Sequence, residues 1–97
     1  MQSLAEIRDE LELLKPSLAE EYGVSEIGIF GSVARGEGTS GSDLDLVVSF
    51  SKPVSLFDLV RLEQELADRF EVDVDVVTKR SLKPRVAARV QNDVVYV

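Results

Sequence analysis

The sequence predicts an α/β (α+β) fold in which helices pack on a small mixed β-sheet of three to four strands. Short apolar runs typical of strands alternate along the chain with longer segments whose apolar residues recur at helical intervals. The composition agrees, because 44% apolar residues, 30% charged residues and 3 prolines among 97 residues are typical of a folded protein. We expect residues 1–97 to form a single domain.

The first predicted element is a helix that begins at Ser3, since Ser3 and Glu6 have the spacing of a capping box. Apolar residues then recur at helical intervals: Leu4, Ile7, Leu11 and Leu14. Pro16 lacks a backbone donor and clashes with the preceding turn, so we expect either a kink there or a second helix ending at Tyr22. Gly23 is the expected left-handed cap.

Three runs of residues have the composition of strands. They are Val24 to Phe30, Asp43 to Phe50, and Glu71 to Thr78. Because strand side chains alternate with period two, the third run divides into two faces. One face carries Val72, Val74 and Val76, and the other carries Asp73, Asp75 and Val77.

Two further helices are predicted after the second strand. Ser55 and Asp58 have capping-box spacing and begin a helix. Its apolar face consists of Leu56, Leu59, Val60, Leu66, Ala67 and Phe70. The final helix is expected from Leu82 to about Gln91, with Pro84 tolerated in its first turn. The segment Val94 to Val97 forms either a closing strand or a tail.

Composition excludes several kinds of function. The chain has no cysteine and no histidine, which removes disulfides, zinc fingers, Cys nucleophiles and the Ser-His-Asp triad. No apolar stretch has the length of a membrane span, and there is no secretory signal, so we expect a cytoplasmic protein. The formal charge of −7 argues against direct binding of nucleic acid.

A basic segment stands out against this acidic background. Its members are Lys79, Arg80, Lys83, Arg85 and Arg89, and no acid interrupts them. The segment is either a solvated helix face or a docking patch.

The most informative motif lies between the first two predicted strands. Gly31-Ser32-Val33-Ala34-Arg35-Gly36 follows the first strand, and Ser42-Asp43-Leu44-Asp45-Leu46 opens the second. A glycine lets backbone approach a ligand closely, and free N–H groups at the start of a helical turn favour anions such as phosphate. Ser32 adds a hydroxyl donor, and Arg35 is either a nearby positive charge or a surface residue that holds the loop.

The Asp-x-Asp pair places two carboxylates on one face of a strand and leaves Leu44, Leu46 and Val48 for the core on the other. Two such charges about 4 Å apart repel by about 4 kcal/mol at an effective dielectric near 20. A cation between them relieves this repulsion. Mg²⁺ is the natural candidate, since it prefers hard oxygen ligands and shares its shell with substrate phosphates.

This pattern resembles the nucleotidyltransferase superfamily that includes DNA polymerase beta, and more closely its minimal members, the MntA-type antitoxins paired with HEPN toxins. The residues that carry the resemblance are Gly31, Ser32, Ala34, Arg35, Gly36, Ser42, Asp43, Asp45 and Leu46. It extends to the later run Val74-Asp75-Val76-Val77 and to Leu82-Lys83-Pro84, and so covers nearly the whole chain. The resemblance implies a nucleotidyltransferase fold.

The resemblance also implies roles for the acids. Asp43 and Asp45 would hold two Mg²⁺ ions, and Asp75 would complete the site of the ion that activates the attacking hydroxyl. Asp73 is a rival for this third position because it shares a strand face with Asp75. The family pattern, which places the acid immediately before an apolar pair, favours Asp75.

The nucleotide and the acceptor follow from the same resemblance. Gly31 and Ser32 would hold the triphosphate of ATP, with Arg35 and Ser42 as further nucleotide-binding residues. The reaction would transfer AMP to a tyrosine of a HEPN-family toxin and so silence it. Two alternatives stay open: a binding module that neutralises its partner by contact, and nucleotidyl transfer to a small hydroxylated molecule. The base preference and the oligomeric state, with itself or with the partner, are left open.

Overall fold

The computed structural model describes residues 3–38 and 43–97. Its helices are α1 (Leu4–Tyr22), α2 (Leu56–Phe70) and α3 (Pro84–Asp93). Its strands are β1 (Val24–Phe30), β2 (Leu44–Phe50), β3 (Val74–Thr78) and β4 (Val95–Tyr96), and a 3₁₀ turn covers Lys79–Ser81. Across the described ranges, no helix combines the length and apolar character needed to cross a membrane.

The strands form one mixed sheet in the order β3-β2-β1-β4. β1 is antiparallel to both β2 and β4, whereas β2 and β3 are parallel. α2 supplies the crossover that a parallel pair requires. The predicted fold class, helices on a small mixed sheet, is confirmed.

The two faces of the sheet are covered by different helices. On one face, α1 and α2 bury the main core through side chains that include Ile7, Leu11, Leu62 and Leu66. On the other face, Val90 of α3 packs with Phe30 and Val47. The alternation predicted for β2 is confirmed, because Leu44, Leu46 and Val48 lie in the main core while Val47 lies on the α3 face.

α1 runs unbroken through Pro16, so the alternative of a second helix starting there is wrong. Burial explains the continuity, because the helix packs into the core on both sides of the exposed proline. The buried residues of α1 are Ile7, Leu11, Leu18 and Tyr22. Gly23 caps the helix at φ 77°, as predicted, and Ser3 and Glu6 form the predicted capping box.

The predicted apolar face of α2 is partly wrong, because Leu56 and Val60 are exposed whereas Leu62 is buried. Further departures are at element ends. β3 begins at Val74, three residues after the predicted start, because Glu71 is a left-handed C-cap of α2 at φ 57°. α3 begins at Pro84, after the 3₁₀ turn that the sequence did not indicate. The final segment is a strand rather than a tail, with Val95 and Tyr96 paired to Ile29 and Gly28.

β3 lies at the edge of the sheet, and a side chain covers part of that edge. The Val76 backbone N–H donates a 2.8 Å hydrogen bond to Glu63 Oε2 of α2. An edge N–H without such an acceptor is available to another strand. The α2 helix therefore covers the core and also supplies an acceptor for the Val76 N–H on the exposed edge.

Candidate active site

The parallel pairing of β2 and β3 sets Asp45 directly beside Asp75. Asp45 alternates with the buried Leu44 and Leu46, so its side chain lies on the α3 face of the sheet. Asp75 alternates in the same way with Val74 and Val76, which pack on the main core. Two of the three predicted carboxylates are thus neighbours on one face.

Gly31 brings the end of β1 against the same carboxylate. It is buried with φ 78°, a conformation that L side chains rarely adopt. A Cβ at this position would collide with Asp45 Oδ2. The glycine therefore allows backbone to approach the carboxylate more closely than any other residue would.

A compact turn follows Gly31. The Arg35 N–H donates to Gly31 O at 3.2 Å, Gly36 N–H to Val33 O at 3.1 Å, and Glu37 N–H to Ser32 O at 2.9 Å. Val33 is buried and anchors this turn in the core, while Ser32 is half-buried. The predicted Gly-Ser element thus follows a strand and opens a hydrogen-bonded turn, as phosphate binding by backbone N–H groups requires.

Arg35 ties this turn to α3. Its Nη1 donates to Asp93 Oδ2 at 2.6 Å, and its Nε donates to Glu37 Oε1 at 3.0 Å. The hydrogen bonds to Glu37 and Asp93 raise the pKa of the guanidinium. Of the two roles considered for Arg35, these contacts favour the one that holds the loop.

Arg89 is a cation beside the carboxylates that the sequence motif did not include. Its Nη2 lies 4.0 Å from Asp45 Oδ2, and its guanidinium carbon lies 5.8 Å from the centroid of the Phe30 ring. Phe30 is itself the β1 register partner of Asp45. The aromatic ring thus supports a positive charge that faces the acid.

The environment of Asp45 raises the pKa of its carboxyl. Burial is the largest cause, followed by the negative charge of Asp75, while Arg89 acts in the opposite direction. Asp43 raises the pKa further and Arg35 lowers it. Asp45 therefore carries a charge that the fold disfavours, as expected of a carboxylate that holds a cation.

The other predicted site residues are not paired with Asp45 in the way that Asp75 is. Asp43 is exposed and directly precedes β2, and Asp73 directly precedes β3, where its carbonyl accepts from Leu44 N–H at 2.8 Å. Within residues 3–38 and 43–97, no three acidic side chains already converge into a metal cluster. Ser42 lies outside the described residues.

The donor set nevertheless fits Mg²⁺. Asp45 and Asp75 supply hard oxygen ligands from adjacent strands, and Asp43 carries a third within range to influence Asp45. Gly31, which has no Cβ, lets the backbone at the end of β1 lie directly against the Asp45 carboxylate. An arrangement of neighbouring carboxylates, a glycine-led turn and flanking guanidinium groups is suited to phosphoryl chemistry.

Comparison with known proteins identifies the class. A nucleotidyltransferase domain model matches residues 11–97, and the chain therefore belongs to this family of enzymes. Among its relatives is the protein adenylyltransferase MntA of Thermococcus cleftensis, which is 43% identical over 97 residues that cover 100% of this chain and 98% of that protein.

Solved structures agree with this assignment. A structure provisionally described as a minimal nucleotidyltransferase has a TM-score of 0.78 and 37% identity, and the match covers 97% of this chain and 95% of that one. An MNT antitoxin in complex with a tri-AMPylated HEPN toxin of Shewanella oneidensis has a TM-score of 0.72. That match covers 96% of this chain and 70% of the other at 20% identity, and so concerns the fold alone.

Sequence reasoning missed the contribution of α3 to the site. The sequence places Arg89 in the basic segment and gives Asp93 no role, yet both contact residues of the motif. Their separation from the motif exceeds forty residues, so no local spacing could reveal the contacts. The one available signal was an arginine four residues before an acid near the end of a helix.

Proposed function

We propose that this chain is a cytoplasmic, Mg²⁺-dependent protein adenylyltransferase that transfers AMP from ATP to a tyrosine of a HEPN-family toxin and acts as its antitoxin. The observation that carries the proposal is the pairing of Asp45 with Asp75 beside Gly31. Membership of the nucleotidyltransferase family supports the reaction type. The full-length similarity to a named protein adenylyltransferase supports AMP and a protein acceptor.

The carboxylates form the proposed catalytic centre. Asp43, Asp45 and Asp75 would hold two Mg²⁺ ions, which when bound stabilise the attacking and leaving oxygens of an in-line displacement at phosphorus. Asp75 is the preferred third ligand because it, and not Asp73, is the register partner of Asp45. The Asp75 carboxylate is also the proposed acceptor of the tyrosine proton.

The turn after β1 binds the leaving group in this proposal. Backbone N–H groups near Gly31 and the Ser32 hydroxyl donate to the triphosphate. Arg35 keeps the turn in place through Asp93, and Ser42 is a further proposed nucleotide ligand. Arg89 supplies positive charge next to Asp45 and so favours phosphate on this side of the site.

The acceptor is proposed to bring its own binding surface. The described elements are used to build the sheet, its covering helices and the candidate site, and the family resemblance names a HEPN toxin as the partner. The fold likeness to an MNT antitoxin in complex with a HEPN toxin is consistent with this. Tyrosine is the proposed target because the family resemblance implies it, and its hydroxyl is a suitable nucleophile for phosphorus once deprotonated.

The test uses purified protein, a HEPN toxin as acceptor, and ATP labelled on its α-phosphate. We expect label to enter the toxin only with Mg²⁺, and intact mass to increase by whole AMP units. Asp45→Ala and Asp75→Ala should abolish transfer, whereas the matched variant Asp73→Ala should retain it. If Asp73→Ala loses transfer and Asp75→Ala retains it, Asp73 and not Asp75 is the third ligand.

A second readout separates catalysis from contact. Neutralisation of the toxin is measured for the same variants in co-expression. If Asp45→Ala abolishes transfer yet still neutralises the toxin, neutralisation depends on contact, and the proposal that AMP transfer silences the toxin is wrong. Label that enters a small hydroxylated molecule but no protein would instead support the other alternative.

A further inference from the structure

A cleft lies at the end of the sheet opposite the candidate active site. Its volume is about 530 Å³, and it is lined by residues 48–54, residues 78–81 and Leu59. We refer to it as the carboxyl-end cleft, because it lies where β2 and β3 end. Asp45 and Asp75, by contrast, are at the beginnings of the same two strands.

The topology explains why a cleft forms here. After β2 the chain passes to α2, which packs on the main-core face, whereas after β3 it passes to α3 on the opposite face. Two adjacent parallel strands whose connections leave toward opposite faces open a crevice between their ends.

The lining of the cleft is positively charged. It contains Lys52, Lys79 and Arg80 and no acid, although the chain as a whole carries a charge of −7. Of these cations only Lys79 is paired with an acid among the described residues, and that acid is Glu26 beside the lining. Hydroxyl groups accompany these cations at Thr78 and Ser81, and also at Ser49 and Ser51, which donate to Glu26 Oε1 and Gly23 O, respectively. Several cations with several hydroxyl donors match the many oxygens of a phosphate group better than a single carboxylate.

Two of the cations are held in place. A Cβ on Gly23 would lie 2.7 Å from Lys52 Cγ, so the stem of Lys52 packs directly on the capping residue of α1. The neighbouring Ser51 donates to Gly23 O from both its N–H, at 2.7 Å, and its hydroxyl, at 3.2 Å. Lys79 Nζ lies 2.9 Å from Glu26 Oε1 and 5.2 Å from the Tyr96 ring centroid.

We propose that the carboxyl-end cleft is a second ligand site, which binds the phosphate of a small phosphorylated molecule through Lys52, Lys79 and Arg80 and its organic part against Val54 and Leu59. The volume is within the range of small-molecule sites, about 300–1,000 Å³. The site is separate from the catalytic centre and does not depend on the proposed reaction.

The test is an NMR titration of the ¹⁵N-labelled full chain in EDTA, with AMP, inorganic phosphate and adenosine as separate probes. We expect saturable amide shifts in residues 49–54 and 78–81 with AMP. Inorganic phosphate should bind more weakly at the same amides, and adenosine should not saturate. Equal affinity for AMP and phosphate would overturn the role of the apolar wall, and equal affinity for AMP and adenosine would overturn phosphate recognition.

Matched variants decide whether the cleft itself binds. Lys52→Gln with Arg80→Gln should weaken AMP binding at least about tenfold, because two charge-assisted contacts are lost. Lys83→Gln with Arg85→Gln removes the same amount of charge from residues outside the lining and should change the affinity for AMP less than about twofold. Equal weakening in both pairs, or AMP shifts confined to residues 31–36, would overturn the site. Asp45→Asn should leave this binding unchanged, which separates it from the proposed catalytic function.

Discussion

The Arg35 guanidinium lies 2.6 Å from the Asp93 carboxylate and joins the turn after β1 to the last residue of α3. Asp93→Asn should therefore lower nucleotidyl transfer by about tenfold to a hundredfold through misplacement of the turn. Its effect on stability should stay at about 1 kcal/mol, since the side chain of Arg35 is 41% exposed and that of Asp93 is 13% exposed. Transfer rate and Tm are measured together.

The control for this prediction is Glu37→Gln, which removes the other carboxylate that Arg35 contacts. Glu37 is 64% exposed and belongs to the turn itself, so it does not connect the turn to α3. We expect transfer by this variant to remain within about threefold of the natural protein. An equal loss in both variants would mean that charge, and not the link to α3, is what matters.

Gly31→Ala tests the close approach of backbone to Asp45. Both the positive φ and the collision with Asp45 Oδ2 oppose the substitution, so we expect a loss of about 3 kcal/mol of stability and no transfer. Gly36→Ala is a matched control, because Gly36 has φ 75° but open space around its missing Cβ. It should cost only about 1 kcal/mol. Denaturant unfolding that gives equal losses would contradict crowding at Gly31.

Asp45→Asn should raise the Tm of the metal-free protein at neutral pH. Folding raises the pKa of Asp45 through burial and the charge of Asp75, so ionisation of this group destabilises the folded state. The penalty is absent below the ordinary carboxyl pKa and grows until the pH exceeds the raised pKa of the folded state. The Tm difference between the two proteins should therefore disappear in acid.

Ligand adds a second comparison for the same variant. Mg²⁺ with ATP should raise the Tm of the natural protein by mass action and leave that of Asp45→Asn nearly unchanged. Equal shifts would argue against Asp45 as a ligand. A Tm difference that persists at the lowest pH would show that packing, and not charge, distinguishes the two proteins.

How far the sequence predicts this molecule depends on the range of the interactions involved. The alternation in β2 and the capping residues at Ser3, Ser55 and Gly23 are local, and the structure confirms them. The continuity of α1 through Pro16 depends on burial at both ends of the helix, which no local rule contains. The contacts of Arg89 and Asp93 with the motif depend on how α3 crosses the sheet.

Arg89→Gln tests the charge that faces Asp45. Arg89 lowers the pKa of Asp45, so its removal should raise that pKa further above the ordinary value. A ¹³C-carboxyl NMR titration measures the change directly. Arg85→Gln removes the same charge from an exposed position of α3 and should leave the pKa of Asp45 unchanged. Equal changes would indicate a general effect of net charge.

Glu63→Ala tests the cover on the edge of β3. The Val76 N–H loses its acceptor, so its amide should exchange with solvent faster, and stability should fall by about 1–2 kcal/mol. Glu63→Gln keeps a carbonyl acceptor and should retain most of the protection. Gln64→Ala, at an exposed neighbouring position of α2, is the control for helix propensity. Unchanged exchange at Val76 in Glu63→Ala would contradict the contact.

The alternation along β2 also selects the correct pairing register of the strand during folding. A slip of one residue in the pairing of this central strand would turn Leu44 and Leu46 toward the α3 face of the sheet. It would also place the Asp45 carboxylate in the main hydrophobic core. Misregistered chains would thus be both unstable and inactive. The same leucines that make the strand fold correctly also guarantee the direction in which its acid points.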